Sequence, residues 1–269
     1  MRGRGPVALD RGEKRRLQRE DAKWVGKPLA LGRGARSFEA NVRHIAGILI
    51  DKDRPHRASE AAAFTQELYE RTIASLKPPA VACAKGCAHC CNTLVTIIPA
   101  EVFRVAGLVR SKTGVPAKIT ETAAATAEIP QHERWKAKIP CPLLEADSCT
   151  VHAARPLTCR GCVSTSADVC FRIYIEGKGE VPPFPLEYTS VCTATAAILA
   201  AASRLAGLPD RSLDWNGALA AAIATPDSEE RWLAGENIFA NVGLGVGTRV
   251  GSPFDNMVQG LVEKVRPTL

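Results

Sequence analysis

The chain has 269 residues, a formal net charge of +7 and ten cysteines. This length suffices for one large domain or two small ones with a sizeable apolar core. Ten cysteines are too sparse for a small disulfide framework. The N-terminus lacks the apolar core of a signal peptide, and no run approaches the ~20 apolar residues of a membrane span. We therefore expect a cytoplasmic protein with reduced thiols and no membrane contact.

The positive charge is concentrated at the N-terminus. Residues 1–43 contain twelve Lys and Arg against five Asp and Glu, whereas the remaining residues contain 23 of each sign. We therefore predict that residues 1–36 form a basic, disordered arm. Contact with nucleic acid is expected only through this arm, because phosphate groups are attracted to clustered basic side chains.

The predicted elements are mainly helices. Helical periodicity predicts helices over residues 37–53, 59–76, 99–112, 116–138, 166–177 and 186–207. Pro78 and Pro79 end the second helix, and the β-branched residues within 92–99 indicate an extended segment. Pro99 suits the first turn of the next helix, where the charge of Glu101 favours the helix N-terminus.

The C-terminal third continues the helical pattern. Helix starts are indicated at residues 212–214 and 226–228, and residues 241–269 are predicted to be a glycine-containing tail. We predict a mostly α-helical fold with little or no β structure. A single helical metal-binding domain spans residues 37–240, with a cysteine core over 80–170 and two long cysteine-rich loops that form the metal centre.

The cysteines fall into two groups. The first, CAKGCAHCC, has the spacing C-x3-C-x2-C-C, and the second lies within CPLLEADSCTVHAARPLTCRGC. Thiolates are soft ligands that prefer Zn²⁺ or iron–sulfur iron, and closely spaced ligands let a loop wrap around a metal. The predicted metal ligands are Cys83, Cys87, Cys90, Cys91, Cys141, Cys149, Cys159, Cys162 and Cys170.

The doublet Cys90-Cys91 is hard to explain with a single ion. Consecutive side chains in an extended segment point in opposite directions, so one tetrahedral ion would not readily take both. The two thiols serve two centres, or bind different irons of one cluster, or one of them is not a ligand. This doublet favours an iron–sulfur cluster or a two-metal site over a lone structural zinc ion.

Other side chains have supporting roles. Arg155 and Arg160 are predicted to bind the cofactor, since guanidinium groups offset the negative charge of several thiolates. Cys192 is expected to be a buried apolar thiol, and the lone His152 is not counted among the ligands. No nucleotide-binding motif or Ser/His/Asp arrangement appears, so no catalytic residue is assigned and enzymatic activity is left open.

The order of these motifs resembles the YkgJ-type cysteine-cluster family, a bacterial group described as a zinc- or iron-chelating domain. The matching elements are the first cysteine group, VTIIPAEV, Cys141-Pro142-Leu143-Leu144, Cys149-Thr150-Val151-His152, Arg155-Pro156 and Cys159-Arg160. The resemblance covers about residues 80 to 170, and Cys162, Cys170 and Cys192 lie outside its core pattern. His152 stands where many members have Tyr. The family is similar to the cysteine-rich part of flagellin lysine N-methylases, which implies a [4Fe-4S] centre but not the same substrate.

Three function classes remain open. The favoured one is an iron–sulfur protein that supports group or electron transfer with a protein or small-molecule partner. The alternatives are a structural zinc module for macromolecular interaction, and a metal storage or delivery protein. In these alternatives the metal is Zn²⁺ or mononuclear iron.

Overall fold

The structure is a computed structural model that describes residues 35–178, 181–245 and 249–268. Within these ranges the chain forms eleven α-helices. They are α1 (Ala35–Ile50), α2 (Arg57–Leu76), α3 (Pro99–Val109), α4 (Val115–Ala127), α5 (Arg134–Ala137), α6 (Leu157–Gly161), α7 (Ala167–Tyr174), α8 (Leu186–Leu205), α9 (Trp215–Ala224), α10 (Ser228–Leu233) and α11 (Pro253–Val265). Short 3₁₀ turns occupy His89–Asn92, Gln131–Glu133, His152–Ala154 and Arg266–Thr268. The prediction of a mostly α-helical fold is confirmed.

The β structure consists of two small antiparallel pairs. The four strands are β1 (Thr96–Ile97), β2 (Leu144–Glu145), β3 (Ser148–Cys149) and β4 (Leu213–Asp214). Strand β1, from the predicted extended segment, pairs with β4 so that Thr96 faces Asp214 and Ile97 faces Leu213. Strands β2 and β3 form a hairpin inside the second cysteine-rich loop.

Helix α8 lies at the centre of the core. It packs against α1, α2, α6 and α11, and residues 197–202 have no exposed surface. A helix that is apolar on all sides must be buried on all sides. The alanine side chains of this run are small, so four neighbouring helices can approach the α8 backbone.

A buried ion pair fixes the chain just before the second cysteine-rich loop. The Arg134 guanidinium in α5 lies 3.0 Å from the Asp214 carboxylate, and the two side chains are only 8% and 10% exposed. Asp214 also accepts a hydrogen bond from the Gly217 amide at 3.0 Å, which caps α9. The pair therefore ties α5 to the start of α9.

Two helical starts agree with the sequence signals. Pro99 occupies the first turn of α3. Ser166 caps α7, because its hydroxyl accepts a hydrogen bond from the Val169 amide at 3.3 Å. Helix α3 follows the first cysteine-rich loop in the chain, and α7 follows the second.

The helix predicted over residues 116–138 requires correction. Helix α4 ends at Ala127, and the chain resumes after Pro130 as a 3₁₀ turn and then α5. Proline has no amide hydrogen and disfavours helical backbone in the residue before it. The single predicted helix is therefore interrupted at Pro130.

The predicted C-terminal tail also requires correction. Residues 241–269 contain helix α11, which begins with Ser252 as its cap and packs against α8 and α1. Val258 and Val262 are almost fully buried in that contact. The first glycines of the predicted tail precede this amphipathic helix, and Gly260 lies within it.

The predicted basic arm, residues 1–36, lies outside the described residues except for the first two residues of α1. Among the helices that are described, none combines the length and apolar character needed to cross a membrane.

Candidate metal centre

The first cysteine-rich loop follows α2 and lies beside the second loop. Lys77 ends α2 in a left-handed conformation, with φ of 49°. The Ala82 amide then donates to the Ser164 carbonyl at 2.8 Å, and the Cys141 amide donates to the Cys91 carbonyl at 2.8 Å. These bonds attach both ends of the first cysteine group to the second cysteine-rich loop.

The second loop is shaped by a hairpin and a short helix. The β2–β3 pairing sets Cys149 opposite Leu144, and helix α6 carries Cys159. Cys162 follows the last residue of α6. Cys170 lies in α7, which contacts the 3₁₀ turn of the first loop. Thiols that are distant in the sequence are thereby brought to one region.

Nine of the ten thiols are linked by hydrogen bonds or electrostatic interactions with one another. They are Cys83, Cys87, Cys90, Cys91, Cys141, Cys149, Cys159, Cys162 and Cys170. Together they are the complete set of predicted ligands.

Cys192 lies apart from this group. Its thiol donates to the Leu157 carbonyl at 3.2 Å. Burial, followed by the nearby Glu101 carboxylate, raises the pKa of Cys192 to about 12. The Cys192 thiol is partly buried, and its raised pKa favours the neutral form, which is a poor metal ligand.

The adjacent thiols Cys90 and Cys91 have opposite protonation preferences. Hydrogen bonds from Cys162 and Cys91 lower the pKa of Cys90. The hydrogen bond to Cys90, followed by burial, raises the pKa of Cys91. The doublet lies in the 3₁₀ turn His89–Asn92, and its two thiols are hydrogen-bonded to each other. The expectation of an extended segment with thiols that point in opposite directions therefore requires correction, because a 3₁₀ turn does not alternate its side chains as a strand does.

Five other thiols of the group have a raised pKa, which favours their neutral forms. Burial is the largest cause that raises the pKa of Cys83, Cys141, Cys159 and Cys170. For Cys162 the hydrogen bond to Cys90 is the largest cause, and burial comes second. A metal must displace these protons, so its binding is coupled to proton release.

The donor chemistry of the group fits a thiophilic metal. In the described ranges, no three His, Cys, Asp or Glu side chains are already arranged to hold a metal ion. Nine thiols nevertheless surround one region, and cysteine side chains can move between staggered rotamers on loops. Coordination of a metal therefore requires that cysteine side chains rotate or that the loops move. The thiols themselves are the soft ligands that zinc and iron–sulfur iron prefer.

A comparison with family models identifies the cysteine-rich segment. Residues 82–171 match the model of the CxxCxxCC family, which is described as "Putative zinc- or iron-chelating domain". We call residues 82–171, which are similar to this family, the CxxCxxCC segment. The match confirms the resemblance found in the sequence and supports metal binding. No curated protein and no solved structure matches the chain.

The matched segment is about a third of the chain. It begins one residue before Cys83 and ends one residue after Cys170, so it contains the nine linked thiols and omits Cys192. The boundary of the CxxCxxCC segment thus coincides with the boundary of the thiol group.

The two arginines of the CxxCxxCC segment have different environments. The positive charge of Arg155 lowers the pKa of the Cys90 and Cys159 thiols. The buried Nε of Arg155 has no hydrogen-bond partner in the described structure. Arg160 instead contacts Glu70 and donates to the Arg155 carbonyl at 3.0 Å. The Arg155 charge therefore influences the thiols, whereas Arg160 is bound to α2 and to the backbone.

Glu101 is a buried residue whose contacts the sequence did not predict. It is 1% exposed, and it accepts hydrogen bonds from the Leu157 amide at 2.8 Å and from Gln66 at 3.3 Å. Burial raises the pKa of Glu101. Leu157 begins the helix that carries Cys159, so Glu101 links α3 to the cysteine-bearing helix. The early glutamate in the family pattern was the signal for this role.

Two tyrosines interact with the CxxCxxCC segment. The Tyr69 hydroxyl donates to the Arg160 carbonyl at 2.8 Å. Tyr174 interacts electrostatically with Cys162, Cys90 and Cys170, and burial raises its pKa. Neither tyrosine was singled out in the sequence, because tyrosine spacing carries no metal-binding signal.

His152 is exposed, at the edge of the segment. The Arg155 charge is the largest cause that lowers the pKa of His152, so the neutral imidazole is favoured. No cysteine contributes to this shift. The structure thus sets His152 beside the arginine rather than among the thiols.

Proposed function

We propose that the CxxCxxCC segment holds an iron–sulfur centre, with [4Fe-4S] favoured over zinc, and that this centre supports group or electron transfer. The observation that carries the proposal is the gathering of nine thiols from two loops and helices α6 and α7. The nine predicted ligands would hold the metal.

The number of thiols favours iron–sulfur chemistry. One structural zinc ion takes four ligands, whereas nine thiols are grouped around one region. A cluster also offers several irons, so adjacent thiolates such as Cys90 and Cys91 can bind different metal atoms. When bound, the cluster would supply an electron or an open iron position.

The surroundings suit an anionic centre. Several thiolates on one metal centre leave net negative charge. The Arg155 guanidinium lowers the pKa of Cys90 and Cys159. It would therefore offset part of this negative charge and favour the thiolate forms of these two residues. Arg160 and Glu101 would act on the backbone around Cys159 rather than on the metal.

Access from solvent differs among the thiols. Cys83 is exposed, whereas Cys170 is buried and the other thiols in the group are partly buried. A protein or small-molecule partner would therefore approach the centre from the side of Cys83.

The test is anaerobic purification of the full chain, followed by determination of iron, sulfide and zinc per chain. The proposal predicts brown protein that contains iron and sulfide, with visible absorption that dithionite bleaches. Cys192→Ser should bind the same amount of metal, because this thiol lies apart from the nine. Stoichiometric zinc in colourless protein would instead support the structural zinc module. Folded protein without metal would refute both readings.

A further inference from the structure

A cavity of about 480 Å³ lies between helix α3 and the junction of α9 with α10. Its lining contains no cysteine, so the cavity is separate from the nine linked thiols. Small-molecule sites in proteins usually have volumes of roughly 300–1,000 Å³ and combine an apolar lining with a few polar groups. The cavity therefore has the size of a binding site, and its lining decides which chemistry fits.

Part of this lining is apolar. Phe103 and Ala106 of α3 contribute to it, together with Ile223 near the end of α9. Phe103 is only 3% exposed, and its ring packs against that of Trp232 with the centroids 5.3 Å apart. Trp232 has no exposed surface. The hydrophobic core therefore holds this part of the wall in place, and an apolar ligand would gain stability by covering it.

Gly107 leaves space for a ligand beside the apolar wall. It lies within α3 and lines the cavity, and an added Cβ atom would meet nothing within 4 Å. Alanine is favoured over glycine inside helices, and it would fit here without a clash. A larger side chain at this position would therefore occupy cavity volume without displacing a neighbour of its own Cβ atom.

The charged side chains of the lining have a net formal charge of −2. Asp227, Glu229 and Glu230 contribute three negative charges, and Arg110 contributes one positive charge. His56 also lines the cavity and is counted as neutral. The cavity therefore favours a positively charged group over a negatively charged one.

Two of these charged residues already have partners in the protein. Arg110 donates to the carbonyls of Ala222 at 2.8 Å and Ile223 at 2.9 Å, where it satisfies the C-terminal end of α9. The Glu229 carboxylate accepts from the amide and the hydroxyl of Ser59, both at 2.9 Å. Arg110 and Glu229 therefore hold the walls of the cavity together.

The carboxylates of Asp227 and Glu230 are available to a ligand. Both residues are exposed, and neither carboxylate has a hydrogen-bond or ion-pair partner among the residues that the structure describes. Asp227 precedes α10 but makes no side-chain cap, and the neighbouring Arg231 pairs with Glu236 instead. Two free negative charges therefore lie beside an apolar wall.

We propose that this cavity binds a small organic cation, with an apolar body and a protonated amine. The apolar body would cover Phe103 and Ile223, and the ammonium group would lie at Asp227 and Glu230. In the described ranges no three side chains are arranged to hold a metal ion, and the apolar wall suits an organic ligand better than a metal. The proposal is independent of the metal centre, so its outcome does not bear on the proposed function.

The experiment uses the full chain and 2-phenylethylamine as the probe, with isothermal titration calorimetry and saturation-transfer NMR. The neutral 2-phenylethanol and the anionic 3-phenylpropionate have the same apolar body and serve as ligands of different charge. Gly107→Leu fills the cavity, and Gly47→Leu is its matched control, because Gly47 is also helical and an added Cβ meets nothing within 4 Å.

A second pair of variants tests the charge. Asp227→Asn with Glu230→Gln removes the two free carboxylates. Glu121→Gln with Glu128→Gln is the control, because it changes the net charge equally at exposed residues outside the cavity. Helical circular dichroism is recorded for every variant.

The proposal predicts saturable binding of 2-phenylethylamine to the wild type, weaker binding of 2-phenylethanol and none of 3-phenylpropionate. Gly107→Leu should abolish the binding. The Asp227→Asn, Glu230→Gln variant should weaken it by about fivefold, as expected for the loss of exposed ion pairs. Both controls should bind as the wild type does.

Absence of saturable binding of 2-phenylethylamine to the wild type would overturn the proposal. Unchanged binding by Gly107→Leu that keeps its helical circular dichroism would place the ligand elsewhere and also overturn it. If Gly107→Leu loses that signal, the carboxylate variant and the order of the three ligands decide the question. Equal or tighter binding of 3-phenylpropionate would refute the charge argument.

Discussion

Replacing Gly161 by alanine should force helix α6 away from helix α8. A Cβ atom on Gly161 would lie 2.5 Å from the Cys192 Cβ, 2.9 Å from its Sγ and 3.4 Å from the Tyr188 carbonyl oxygen. The closest atom is a Cβ fixed to the α8 backbone, so a side-chain rotation does not relieve the contact. The helices must separate by roughly 0.9 Å to lengthen the distance between the two Cβ atoms from 2.5 Å to 3.4 Å, where ordinary van der Waals contact begins.

The expected cost follows from overpacking. Inserting a methyl group into a packed core destabilises the folded state by about 1–3 kcal/mol. The higher helix propensity of alanine offsets at most ~1 kcal/mol of this loss. We expect Gly161→Ala to lower the free energy of unfolding by about 1–2 kcal/mol. Metal–ligand distances tolerate only about 0.2 Å, so a shift of α6 should also reduce the metal bound near Cys159 and Cys162.

The assay is urea denaturation followed by circular dichroism, with metal per chain measured on the same samples. Gly47→Ala is the matched control, because Gly47 is also helical and an added Cβ meets nothing within 4 Å. This variant should be unchanged or slightly more stable, with unchanged metal content.

A second change locates the clash. Cys192→Gly removes the Cβ that Gly161→Ala would meet, so the double variant should recover part of the lost stability and metal. Cys192→Ala keeps that Cβ and should give little recovery. Full stability of Gly161→Ala, or equal destabilisation in the presence of Cys192→Gly, would refute the argument.

Three further perturbations test the contacts around the thiols. Glu101→Ala should cost about 2–4 kcal/mol in urea denaturation because a buried amide loses its acceptor, whereas Glu101→Gln should cost less. Burial raises the pKa of Glu101 in the folded protein. The stability of wild type relative to Glu101→Gln should therefore be greatest below the pKa of Glu101 in the unfolded chain, and it should fall as pH rises through the pKa in the folded protein. A stability difference that stays constant across this pH range would contradict the argument. Arg155→Ala should weaken metal retention against a chelator with little change in the free energy of unfolding. Arg160→Ala should lower the free energy of unfolding with little change in metal retention. If both variants changed both quantities equally, the separate roles of the two arginines would be contradicted. Arg134→Ala should cost about 3–5 kcal/mol in urea denaturation, since it leaves Asp214 buried without its partner, and a cost below ~1 kcal/mol would show that the pair contributes little.

Much of the fold was predictable from short-range patterns. Amphipathic periodicity indicated the long helices, and Pro99 and Ser166 marked helix starts because their preferred backbone geometry acts locally. Helix α11 was missed because nearby glycines suggested a tail, although its buried face packs against α8 and α1. Pro130 was the missed signal for the break after α4.

The sequence by itself determined the cysteine spacing, and with it the similarity of residues 82–171 to the CxxCxxCC family and the soft character of the thiol ligands. The tertiary structure alone separated the environment of Arg155 from that of Arg160. It also turned Glu101 toward the Leu157 amide and gave Cys90 and Cys91 different partners. The physical reason is that spacing along the chain is a local property. Which distant side chains become neighbours depends on how α6, α7 and the two loops pack against the core.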